Sequence, residues 1–128
     1  MMNDERKAKD GSTAQDLVER TRAFALSVID LYSRLPGTTL AQVLGRQLLK
    51  AGTSVGAHYR EARRAKSDAD FISKIEGALQ ELEETAYWLE LMEYSRVIAA
   101  TDAAELLTEV NELTSILVAS VRTVKRRR

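Results

Sequence analysis

The chain has 128 residues and a mass of 14.3 kDa, the scale of one domain with room for a core of its own. Hydrophobic residues make up 45% and charged residues 30%, with a single proline, which excludes disorder along the whole length and favours helix. The absence of cysteine removes disulfides and thiolate metal sites, and 19 basic against 19 acidic residues leave no net charge to draw in nucleic acid or membrane.

The opening "MMNDERKAKDGS" is polar. Residues 1–12 read as a disordered tail, 13–125 as the folded unit and 126–128 as a basic tail. No segment approaches the length of apolar chain that spans a bilayer, so the expectation is a cytoplasmic protein without a membrane partner.

The first helix begins near "STAQ", where Ser12 and Gln15 have the spacing of a capping box, and runs to about Leu35. Leu17, Phe24, Val28, Leu31 and Leu35 form its apolar stripe, widened by Val18, Ala25, Ile29 and Tyr32. "PGTT" breaks the chain. A second helix over 40–66 is predicted, with Thr39 and Gln42 as its box. A third, over 68–96, is capped by Ser67 with Asp70, and a fourth, over 102–125, by Asp102 with Glu105. The fourth carries Leu106, Val110, Leu113, Leu117, Val121 and Val124 as one seam, and the third carries Phe71, Ile75, Ala78, Leu82, Leu89 and Met92. Long helices joined by short loops fold back on one another, so an all-α, antiparallel up-down-up-down four-helix bundle is expected.

Charge is unevenly spread. Residues 38–66 hold six Lys/Arg against the single acid Glu61, and 67–95 hold eight acids against Lys74. Antiparallel pairing between the two segments is the favoured reading, ahead of a binding patch. The tail at Lys125, Arg126, Arg127 and Arg128 fits that pairing less well. It reads either as a solvated helix end or as a contact for phosphates.

The second helix places Leu44, Gln47, Ala51, Ser54, His58 and Glu61 on one stripe, beside a stripe of Gly45, Leu48, Gly52, Val55 and Tyr59. Mid-helix glycines cost about 1 kcal/mol each relative to alanine, so close approach of a neighbouring helix is their expected return. A hydrolase triad of Ser54, His58 and Glu61 lacks an oxyanion hole, because N–H groups inside a helix are already bonded to the preceding turn. A metal site from His58, Glu61, Glu81 and Glu84 has the Glu and His types of di-iron bundles, but it has one histidine where such sites use two. The favoured reading is a buried polar network of Ser54, His58, Glu61, Glu81 and Glu84 that fixes helix register. Trp88 and Tyr87 read as core or interface aromatics.

"QLLKAGTSVGAHYREARRAKSDADFISKIEGALQELEETAYWLELM", residues 47–92, resembles the four-helix-bundle family named after proteins encoded in intervening sequences of bacterial 23S rRNA genes. The likeness rests on the Q-L-L-x-x-x-x-S-V-x-A-x-Y-x-E-A and E-x-x-E-T-x-Y-W-L-E-L runs. Ser54, Tyr59, Glu61, Glu81, Glu84, Tyr87 and Trp88 match the family pattern, and His58 stands where the family usually has asparagine. The resemblance implies a four-helix bundle with no established reaction, assembled into a ring, specifically a homopentamer. A more distant likeness to the accessory bundle protein of diversity-generating retroelements implies a role beside nucleic acid.

The sequence therefore reads as a non-enzymatic oligomeric bundle. It would bind RNA or DNA, or a protein that handles them, with Lys50, Arg60, Arg63, Arg64, Lys66 and residues 125–128 as the candidate contacts. The alternatives are a metal-binding or hydrolytic enzyme centred on His58, Glu61, Glu81 and Glu84, and a purely structural oligomer. No cofactor is implied.

Overall fold

A computed structural model describes residues 14–127. The helices are α1 (Ala14–Ser33), α2 (Thr39–Arg63), α3 (Asp68–Tyr94) and α4 (Ala100–Arg126), with no strand among the described residues. Each short loop returns the chain alongside the preceding helix. Contacts join α1 to α2, α2 to α3, α3 to α4 and, most thinly, α4 to α1. This is the expected antiparallel four-helix bundle. Residues near 14, 63, 68 and 126 consequently share one end of the molecule, and those near 33, 39, 94 and 100 share the other. The tail at 1–12, the Ser12 cap and Arg128 lie outside the described residues.

Capping chemistry sets the remaining boundaries, with two corrections. At the start of α2 the cap is Thr38, one residue earlier than expected: its backbone is extended and its hydroxyl accepts from the Ala41 N–H at 3.3 Å. Gln42 serves the turn instead. Its amide donates to the Pro36 carbonyl at 3.0 Å, and Tyr32 Oη donates to its Oε1 at 3.1 Å. Ser67 caps α3 as expected, accepting from the Asp70 N–H at 3.0 Å. The Asp70 carboxylate in turn accepts from the Lys66 N–H at 3.3 Å, which draws the chain out of α2 after Arg63, short of the expected Lys66.

α3 ends in a Schellman motif. The Arg96 N–H bonds to the Glu93 carbonyl at 2.9 Å and the Val97 N–H to the Met92 carbonyl at 2.8 Å. Arg96 takes the left-handed conformation, φ 64°, that glycine usually fills. Ile98 is then buried, and α4 starts directly behind it at Ala100 with no side-chain cap. Asp102 is therefore a first-turn residue and not the cap. It faces the helix dipole favourably and stands 3.8 Å from Arg34 of α1.

The core follows the apolar stripes. Leu17, Phe24, Val28, Leu48, Val55, Ile75, Leu82, Leu89, Met92, Leu113, Leu117 and Val124 are fully buried, each large side chain contributing about 1.5–3 kcal/mol by leaving water. The stripe of α2 that enters the core is Gly45, Leu48, Gly52, Val55 and Tyr59. A Cβ on Gly52 would lie 2.7 Å from Val28 Cγ2, and one on Gly45 would lie 2.5 Å from Leu35 Cδ1. Two of the mid-helix glycines thus let α1 and α2 approach closely, and Ile29, expected inside, is turned out to solvent.

Candidate functional site

The polar stripe of α2 lies one residue, about 100° of helical rotation, from the buried stripe, so it falls on the flank toward α3 and not in the core. Ser54 Oγ donates to the Lys50 carbonyl one turn back, at 2.7 Å, and leaves His58 unengaged. The His58 ring lies over Gly77, whose absent Cβ would sit 2.9 Å from Nδ1. Its Nε2 is 3.6 Å from Glu81 Oε2, a loose contact on a side chain still 34% exposed. Glu61 is exposed and meets Lys74 at 3.5 Å. Glu84 is exposed and joins no ion pair among the described residues.

The expected buried network is therefore corrected. Ser54, His58 and Glu81 are half-buried, Glu61 and Glu84 are at the surface, and the five do not form one hydrogen-bonded set. Carboxylates on a helix flank reach water at little cost, whereas full burial would require a complete set of partners. Among the described residues no three His, Cys, Asp or Glu side chains are placed to hold a metal ion. Thr21, Thr85 and Ser120 are buried in the core. Each hydroxyl donates back to its own helix, to the carbonyls of Leu17, Glu81 and Ile116. Tyr87 is exposed, its ring 5.1 Å from that of the half-buried Trp88.

The expected charge pairing between α2 and α3 is corrected as well. Across the extensive α2–α3 seam, beside the loose His58–Glu81 contact, Glu61 pairs with Lys74, the only acid of α2 with the only Lys or Arg of α3. Among the described residues no Lys or Arg of α2 pairs with an acid of α3. Arg60, Arg63 and Arg64 instead surround a shallow concavity of ≈ 310 Å³ floored by Val18, between α1 and α2. Arg63 also donates to Gln15 at 3.2 Å.

Lys66, Lys125 and Arg126 are exposed at the same end of the bundle. Arg127 is not available there in the same way: it holds Asp68 at 3.0 Å and ties the end of α4 to the start of α3. Lys50 stands apart, about 15 Å along α2 from Arg60. The opposite end carries Asp30, Glu93, Asp102 and Glu105 beside Arg34 and Arg96.

One interaction carried no signal in the sequence. Arg20 of α1 donates to Glu109 of α4 through Nε and Nη2, both at 2.9 Å, and through Nη2 to Glu112 at 3.0 Å. The hydrogen bonds to Glu109 raise the guanidinium pKa against the opposing effect of burial. Arg20 follows the buried Leu17 and Val18 in sequence, but its partners are 89 and 92 residues away, beyond any local pattern.

Four long helices, each packed beside the one before it, define the class as a four-helix-bundle protein. Residues 14–119 match the family described as 23S rRNA-intervening sequence protein, and the chain belongs to that family. A solved structure from Bacteroides thetaiotaomicron, described as a protein with unknown function from the S23 ribosomal protein family, is 33% identical. The match covers 85% of this chain and 97% of that one with a TM-score of 0.80. Among curated proteins none matches. No helix among the described residues is long and apolar enough to cross a membrane.

Proposed function

We propose that the chain is a non-enzymatic, cytoplasmic binding module. Several copies, five by the resemblance, would present their basic ends to RNA or DNA, or to a protein that handles them. The supporting observation is the placement of Arg60, Arg63, Arg64 and Lys66 at the same end of the bundle as Lys125 and Arg126, from helix ends far apart in sequence. No α3 acid neutralises the arginines of α2 among the described residues. Among the described residues the exposed aromatics, Tyr87 and Tyr94, lie toward the other end. Base stacking then has no platform, and recognition would run through backbone phosphates without sequence preference.

The test is a salt titration of affinity for short RNA and DNA duplexes. Six phosphate contacts per copy correspond to a log–log slope of about −5 on duplex DNA. Arg60→Glu with Arg64→Glu should remove most of the binding. An absence of binding at low salt, or a flat salt response, would end this reading.

A further inference from the structure

Two faces of the bundle carry exposed apolar side chains beside charge of opposite sign. On the thin α1–α4 side, Phe24, Leu31 and Leu106 floor an open groove of ≈ 540 Å³. Leu26 stands at its edge, 58% exposed. The charged residues lining the groove are Asp30, Asp102, Glu105 and Glu109 against Arg34. On the outer face of α2, Leu40 and Val43 are about half exposed, followed by exposed Arg46 and Lys50. No acid precedes Glu61 in that helix, and neither base has an ion-pair partner among the described residues.

The charges of the two faces stand at matching heights. Gly45 packs against Tyr32 and Leu35, and Gly52 against Val28, which sets Arg46 level with about Tyr32 to Arg34 and Lys50 level with about Val28 to Asp30. On the other face Asp102 meets Arg34 and Glu109 meets Arg20, which sets Glu105 between them, near Val28. α2 and α4 run in the same direction, so a copy rotated about an axis along the bundle brings Arg46 toward Asp102 and Lys50 toward Glu105 together.

We propose that the outer face of α2 in one copy docks on the α1–α4 face of the next, with Lys50 meeting Glu105, Arg46 meeting Asp102, and Leu26, Leu40 and Val43 covered at the contact. Because the two faces differ, the contact is head-to-tail and propagates until the rotation closes a ring. The inference rests on the self-association in the reading above. It adds which surfaces meet, and it takes Lys50 out of the phosphate-binding set.

The experiment is mass measurement by light scattering and sedimentation on the full chain, over a range of concentration and salt. The native protein should exceed two copies and dissociate more readily as salt rises. Lys50→Glu and Glu105→Lys should each weaken association at least tenfold, and the two together in one chain should restore it. Leu26→Arg should give a monomer. All three positions, Leu26, Lys50 and Glu105, are at the surface, and circular dichroism checks that helicity is retained. A native monomer would overturn the self-association reading and this inference together. A native oligomer that stops at two copies, survives both single charge reversals, or is not restored by the double exchange would overturn only the surfaces assigned here.

Discussion

The two flanks of α2 are built on different terms. Toward α1, Gly45 and Gly52 leave no room for even a methyl group beside Leu35 and Val28. Toward α3, Ser54, His58 and Glu61 have water within reach, a hydroxyl bonded to its own helix and contacts of 3.5 Å or more across the seam. The chemically conspicuous flank is the permissive one, and the flank without functional groups carries the packing constraint. A side chain that can swing into solvent absorbs a substitution that a closed interior cannot.

Substitutions along α2 sharpen that contrast. Gly52→Ala should have the largest effect. Its Cβ meets a β-branched valine whose rotamer is fixed in a helix, and overpacking should outweigh the about 1 kcal/mol gain in helix propensity, for a net loss of about 1–2 kcal/mol in urea denaturation. Val28→Ala would open the space that Cβ needs. The double variant should therefore be more stable than the sum of the singles by about 0.5–2 kcal/mol, and additive losses would show that the contact is not the cause.

Gly45→Ala should cost less than Gly52→Ala, because the nearest atom is the far end of the Leu35 side chain, which can rotate away. Equal losses at the two sites would contradict the role given to valine rigidity. His58→Asn should stay within about 0.5 kcal/mol, as expected of a half-exposed residue with one loose contact. Ser54→Ala should be smallest, neutral or slightly stabilising, since it trades a hydroxyl bonded within its own turn for a better helix former. A loss above about 1.5 kcal/mol at either polar site would reinstate a polar network that holds the bundle together.

Much of the fold was legible before any coordinates. The seam of α4 from Leu106 to Val124 and that of α3 from Phe71 to Met92 are buried as their spacing predicts, and Ser67 caps α3. Two caps were misplaced for local reasons. Thr38 and Thr39 are adjacent and equally suited, and Asp102 has the chemistry of a cap but follows a helix start set by the burial of Ile98. The site was less legible. Helical periodicity put Ser54, His58 and Glu61 on one stripe, but Ala51 in that stripe is buried while Gln47 and Glu61 are not. Which of two adjacent stripes points inward depends on how the glycine stripe seats against α1.

The sequence by itself determined four helices, their order, their approximate ends and the small-residue stripe of α2, because backbone hydrogen bonds, capping and apolar periodicity act within a few residues. The tertiary structure alone decided that Glu61 meets Lys74, that Arg20 clamps Glu109 and Glu112, and that Arg60, Arg63 and Arg64 border a concavity with Val18 of α1. Those partners are set by the rotation and axial offset of packed helices. Such quantities belong to pairs of helices, and no single segment of the chain encodes them.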